Sequence, residues 1–232
     1  MAHMKKAIFT IVILLALSIV SMAIFYAQIA AFIFARSNNI DISYRQVTAG
    51  SFTEFIFKDL KVSWPHQGIG LSASGAGIKL ISGGSSPLSV ATDFVLNDVR
   101  FTRKGSGKEI SYNNIDGLIA APFSGLLRYK TVSGKIGAVK DGIELKDFLA
   151  SGDEIRFSLD GTLVDNSVIA ATVTIYFAKD LAGRIPPELA NMALKDETDG
   201  WKSLALKLEG DLSKPSVQVT GRLFRLNIGV KQ

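Results

Sequence analysis

Apolar and polar residues alternate with a period of two along most of the chain after Arg36. Such alternation is typical of β-strands that have one apolar face and one polar face. Parallel strands covered on both faces would instead give continuous apolar runs. The pattern therefore predicts a mainly β domain over residues 37–232, built on a curved antiparallel sheet that forms either a groove or a sandwich. The candidate apolar face carries Ile155, Phe157, Leu159, Ile169, Val173, Ile175, Phe177, Leu204, Leu206 and Leu208.

The alternation skips one position at three aspartates, Asp59, Asp98 and Asp147. At the first of them, the apolar residues on either side are Phe57 and Leu60, which are three positions apart. In a regular strand, residues at that spacing point to opposite faces. A change of phase indicates a β-bulge or a tight bend. We therefore predict a bend at each aspartate, with Phe57 and Leu60 facing the same side.

One short helix is predicted at residues 187–195. Pro186 and Pro187 do not suit the interior of a strand, but proline suits the first turn of a helix. Glu188 lies near the start of this stretch and Lys195 lies at its end. These positions place each charge where the helix dipole favours it.

A different pattern precedes Arg36, because residues 7–35 contain no charged side chain. As a helix this stretch would extend ~43 Å, against a bilayer hydrocarbon core of ~30 Å. We interpret residues 1–36 as a short cytoplasmic stub followed by a transmembrane helix. A cleaved signal peptide is the alternative, but its apolar region usually spans only about 7–15 residues. Lys5 and Lys6 before the span, against Arg36 alone after it, favour a cytoplasmic N-terminus.

Composition narrows the classes of function. Residues 37–232 carry 23 Lys and Arg against 21 Asp and Glu, a net charge of +2. Nucleic-acid binding calls for clustered basic residues, so no nucleic-acid partner is predicted. The chain contains no cysteine, which excludes disulfides and thiolate metal sites.

Residue types with catalytic or metal-binding chemistry form no recognisable motif. The two histidines, His3 and His66, have no partner histidine at metal-ligand spacing. The glycine-rich stretch 68–75 matches neither G-x-S-x-G nor G-x-G-x-x-G, and its apolar residues alternate as in a strand. We therefore predict no enzyme, no cofactor and no metal site, and a membrane-bound hydrolase is the least favoured alternative.

Several short motifs together suggest a family. The pattern Gly-x-Leu-x-Lys-Pro-x-Val stands near the end of the chain, over residues 210–217, after an N-terminal apolar stretch and aspartate-containing strand motifs. In this the chain resembles the AsmA-like envelope proteins and the short GspN-type component of type II secretion systems. The stretches that carry the resemblance are 40–44, 57–62, 139–148, 157–163 and 208–217.

The resemblance implies a single-pass protein of the bacterial inner membrane with a periplasmic domain over residues 37–232. It also implies lipid binding or transport, or envelope maintenance, without enzymatic chemistry. An elongated apolar surface suits acyl chains, so we predict membrane lipids as partners and the ten residues of the candidate apolar face as the lipid-binding site. The alternative is a structural accessory subunit of a secretion machine, whose strand edges bind other envelope or secretion proteins.

Overall fold

A computed structural model describes residues 40–51, 53–65, 68–82, 90–103, 111–139, 141–165, 167–211 and 214–229. The predicted transmembrane helix within residues 1–36 lies outside these ranges. Inside them, no helix is both long enough and apolar enough to cross a bilayer.

The described ranges contain thirteen strands, which join in one open antiparallel sheet. The strands are β1 (Asp41–Ser43), β2 (Gln46–Ser51), β3 (Glu54–Trp64), β4 (Ile69–Ser82), β5 (Val90–Arg103), β6 (Tyr129–Val139), β7 (Gly142–Gly152), β8 (Ile155–Val164), β9 (Val168–Phe177), β10 (Lys195–Asp196), β11 (Lys202–Asp211), β12 (Ser216–Thr220) and β13 (Arg225–Gly229). Their order across the sheet is β1-β3-β4-β5-β6-β7-β8-β9-β11-β12-β13, while β2 also pairs with β3 and β10 with β11. The predicted antiparallel, mainly β fold is confirmed, and these strands form one sheet rather than two packed sheets.

The register of the strands brings apolar side chains together on one face of the sheet. Residues that pair directly across neighbouring strands point to the same face, so a slip of one residue would expose the whole set. One row of directly paired, buried residues crosses eight strands: Phe57, Ala76, Leu96, Val132, Ala150, Phe157, Ile175 and Leu204. Burial of this row stabilises the sheet as a unit and fixes its register.

The three aspartates adopt the left-handed backbone conformation that bends a strand. Their φ angles are 53° at Asp59, 58° at Asp98 and 52° at Asp147. Aspartate tolerates this conformation better than most side chains do. Phe57 and Leu60 are both buried in the core, as predicted for a change of phase between them. At Asp147 the register with β8 shifts by one residue, whereas at Asp59 the register with β4 is kept, so that β3 and β4 bend together.

Aromatic rings from different strands converge over the apolar face. The ring of Phe157 on β8 lies 6.2 Å from that of Phe101 on β5, centroid to centroid, and 5.6 Å from that of Tyr129 on β6. In a flat sheet, β5 and β8 would be separated by three strand spacings, about 14 Å. The rings over this face are therefore much closer together than the strands that carry them would be in a flat sheet.

The described residues contain three short helices, not the single short helix predicted. These are α1 (Ile115–Ala120), α2 (Lys179–Ala182) and α3 (Pro187–Ala193), with 3₁₀ turns at Ala121–Phe123 and Thr198–Gly200. The predicted helix is present as α3, but Lys195 lies beyond its end in β10, so the expected charge at its C-terminus is wrong. The helices α1 and α2 escaped prediction because six and four residues are too few to show a helical period.

All three helices lie at the same end of the sheet. The segment with α1 connects β5 to β6, and the segment with α2 and α3 connects β9 to β11. We call this the covered end; it is marked by the strand residues Tyr129, Ile155 and Phe177. The opposite end, marked by the strand ends Val164 and Val168, is called the open end.

Candidate functional site

A cavity of about 430 Å³ lies on the apolar face of the sheet. Its floor is formed by β7, β8, β9 and β11, and one wall is formed by α1 and the 3₁₀ turn that follows it. Only one of the lining residues, Thr162, has a polar side chain, and none is titratable. The lining residues are Ile119, Pro122, Phe123, Ile143, Leu145, Phe157, Leu159, Gly161, Thr162, Leu163, Ile169, Ala171, Val173, Ile175, Leu206 and Leu208.

The structure divides the ten residues of the candidate apolar face between this cavity and the packed core. Seven of them line the cavity: Phe157, Leu159, Ile169, Val173, Ile175, Leu206 and Leu208. The other three, Ile155, Phe177 and Leu204, are fully buried at the covered end, in the same hydrophobic cluster as Leu181 and Leu194 from the helical connection. These three residues do not line the cavity, and their lipid-binding role stays a prediction.

Exposure of the apolar face rises from the covered end to the open end on every strand of the floor. Along β8, Phe157 is buried, whereas Leu159 and Leu163 are half-buried. Along β11, the exposed fraction is 0% at Leu204 and 5% at Leu206, and Leu208 is half-buried. The face is thus a packed core at the covered end and an accessible apolar surface at the open end.

Two small residues, Gly161 and Ala171, leave space above the floor of the cavity and let β8 and β9 approach closely. Gly161 on β8 pairs directly with Ala171 on β9. A Cβ atom added at Gly161 would lie 2.6 Å from the Cβ of Ala171 and 2.8 Å from the carbonyl oxygen of Ala170. Any larger side chain would push β8 and β9 apart, so glycine is required here for the close approach of the two strands.

The wall of the cavity comes from a segment that sequence reasoning missed. The Asn114 side chain caps α1 by accepting a hydrogen bond of 2.7 Å from the backbone N–H of Gly117. The hydroxyl of Tyr129 donates a hydrogen bond of 2.7 Å to the carbonyl oxygen of Pro122. Since Tyr129 is only 1% exposed, burial raises the pKa of its hydroxyl, which stays protonated as a donor. This bond joins the 3₁₀ turn to β6 and so positions Phe123 over the cavity.

Three ion pairs lie beside the bends, and none of their residues lines the cavity. Asp59 pairs with Arg45 at 2.8 Å, Asp98 with Arg128, and Asp147 with Lys135 at 2.8 Å. The hydrogen bond from Arg128 lowers the pKa of the Asp98 carboxyl. Likewise, the hydrogen bond from Lys135 lowers the pKa of the Asp147 carboxyl. No sequence pattern indicated these three partners, Arg45, Arg128 and Lys135.

A second, smaller cavity of about 310 Å³ lies at the covered end and mixes polar with apolar residues. It is lined by Leu126, Leu127, Arg128, Tyr129, Asp153, Glu154 and Ile155. Arg128 is paired with Asp98, and Asp153 is paired with Lys130 at 2.6 Å. Within the part of the chain that the structure describes, no three His, Asp or Glu residues converge in a way that could hold a metal ion. The large cavity, in contrast, is lined almost entirely by apolar side chains, so what it can do is bury an apolar ligand.

Comparison with known proteins identified no relative of this chain. A scan against protein-family models, a search of curated proteins and a search of solved structures each gave no match. Fold and site together define a class: a single-sheet antiparallel β protein whose apolar face is half covered by short helices. The resemblance to AsmA-like envelope proteins stays a prediction from the motifs.

Proposed function

We propose that the chain is a membrane-anchored protein whose β-sheet forms a groove for an acyl chain of a membrane lipid, serving lipid transport or envelope maintenance. The observation that supports this most strongly is the graded exposure of the apolar face. A core built only for stability would be buried along its whole length, whereas here the apolar residues of β8 and β11 are buried at the covered end and half-buried toward the open end. Accessible apolar surfaces of this kind mark sites of binding.

The dimensions of the cavity suit one extended acyl chain. From Phe157 to Leu163 the floor runs six residues along β8, which at the rise of a strand is about 20 Å. One leaflet of a bilayer contributes half of the ~30 Å hydrocarbon core, about 15 Å. An acyl chain of ordinary membrane length would therefore fit with its end at Phe157 and its head group in solvent beyond the open end.

A curved sheet would favour the same ligand. The convergence of the Phe101 and Phe157 rings is what a sheet rolled toward its apolar face would produce. In such a groove β7 and β11 would rise on either side of β8 and β9. An acyl chain lying along β8 would then be contacted from three directions, which increases the apolar area removed from water.

The proposed location follows from the sequence. Residues 7–35 would anchor the chain in the bacterial inner membrane, with the N-terminus in the cytoplasm and the β domain in the periplasm. The groove would then lie next to the lipids of the same membrane.

Two adjacent residues of β9 test the proposal. Ile169 lines the cavity, while its neighbour Val168 is 48% exposed and points to the other face. We expect Ile169→Asp to weaken binding of the fluorescent fatty acid cis-parinaric acid by at least about tenfold, because a carboxylate would be buried against the ligand. Val168→Asp carries the same charge and should bind within about twofold of wild type. Equal binding by both variants, measured with the full chain in an amphipathic polymer, would rule out this groove.

The sheet edges support a second candidate, the accessory subunit of a secretion machine. The strand order ends at β1 on one side and at β13 on the other, so that the sheet does not close on itself within the described residues. Open edges can pair with a strand of another protein. This function would be favoured over lipid binding by a stable complex with secretion components. The complex should survive Ile169→Asp and be lost when a proline interrupts β13.

A further inference from the structure

Among the described residues, Phe123 is the one aromatic side chain that lines the cavity from the wall rather than from the floor. Its exposed fraction is 46%, which is high for a phenylalanine in contact with a core. The ring centroid lies 5.5 Å from that of Phe157 and 6.2 Å from that of Phe101. Phe157 is the floor residue at which the cavity ends toward the covered end. Phe123 and Phe157 therefore stand together at the end of the cavity that is nearest the covered end.

The position of Phe123 is fixed by its own neighbours. Proline at position 122 restricts the backbone just before it, and the Pro122 carbonyl accepts the buried hydrogen bond from Tyr129. The turn is thus bonded to the first residue of β6. The backbone that carries Phe123 is therefore held to the sheet, and its ring contacts Phe157 and Phe101 from that position.

We propose that Phe123 is a specificity-determining residue that limits the length of the acyl chain the groove accepts. This inference rests on the proposed function, because it names the chain length of the same ligand. Beyond Phe123 the apolar face continues to Phe101, which is partly buried, and to Tyr129, which is buried. Removal of the Phe123 ring would let a chain advance toward these residues, while the present ring stops it at Phe157.

The experiment compares chain-length profiles. Saturated fatty acids from octanoate to stearate compete with cis-parinaric acid for the full chain in an amphipathic polymer. We expect Phe123→Ala to raise the affinity for stearate relative to laurate about tenfold, as burial of about two further methylene groups would. Leu126→Ala is the matched control: Leu126 belongs to the same connection and is 69% exposed, but it does not line the large cavity. Its profile should equal that of wild type.

Two further variants keep the test decisive. Phe123→Leu retains most of the apolar volume and should shift the profile in the same direction by less, and it carries the test if Phe123→Ala does not fold. Tyr129→Phe removes only the hydroxyl that positions the turn and should broaden the profile without abolishing binding. An unchanged profile in Phe123→Ala and Phe123→Leu would overturn the role of Phe123 while leaving the groove intact. Failure of wild-type protein to bind any of the fatty acids would instead overturn the proposed function.

Discussion

Three aspartates combine a backbone role with an electrostatic one. Each adopts a left-handed conformation that bends its strand, and each carboxylate pairs with a cation on the solvent side. Asparagine also tolerates this conformation. Replacement of Asp by Asn therefore removes the charge while the bend can stay, so that the two roles can be measured separately.

Asp98→Asn tests the electrostatic role. The pKa of Asp98 is lowered in the folded protein by its hydrogen bond with Arg128. A lowered pKa contributes stability above the unfolded pKa of about 4, and this stability is lost as the pH falls through the folded value. We expect the melting temperature of wild type to fall between about pH 5 and pH 2 more steeply than that of Asp98→Asn. Parallel curves for the two proteins would show that the pair does not contribute to folding, as many exposed pairs do not.

The positions of the bends could be read from the sequence, but their partners could not. A skipped step in the apolar alternation is local, so Asp59, Asp98 and Asp147 were visible without a structure. The cations come from other strands or connections, and their approach depends on register. The same limit applies to the site: the floor residues follow from alternation, whereas Phe123 reaches the cavity only because its connection folds back over the sheet.

At the scale of elements, the contact between β8 and β9 limits which side chains the floor can carry. Gly161→Val would place a side chain within 2.6 Å of the Ala171 Cβ, so the strands would have to separate. We expect a loss of about 1–3 kcal/mol in the free energy of unfolding, the usual cost of overpacking. Gly137→Val on β6 is the control, because a Cβ atom there would meet no heavy atom within 4 Å. Equal stability of the two variants in urea unfolding would contradict the floor geometry described here.

The helices show where local sequence signals suffice and where they do not. α3 begins with Pro187 and Glu188, which are helix-start signals that need no tertiary context. α1 depends on the Asn114 cap and on burial of Leu118 against the sheet, and six residues alone would not be stable as a helix. Short helices of this kind are stabilised by packing against the apolar face beneath them. They can therefore be predicted only once the position of the sheet is known.

At the scale of the whole molecule, one open sheet carries both a core and an accessible apolar surface. Strands account for about 65% of the described structure, and the short helices among the described residues all lie at the covered end. The alternation predicted the sheet and its apolar face. It could not decide between a groove and a closed core, because both require the same period of two. Within the described residues, the difference arises from the helical connections between β5 and β6 and between β9 and β11, which lie at the covered end.

The central claim, that the open part of the apolar face holds an acyl chain, is tested most directly by photocrosslinking. A benzophenone side chain is introduced at Leu163, which lines the cavity, or at Val164, which follows it and points to the opposite face. The full chain is irradiated in native membranes and analysed by mass spectrometry of the intact protein. We predict a lipid adduct at position 163 and little or none at position 164. No adduct at position 163, or equal adducts at both positions, would contradict the account.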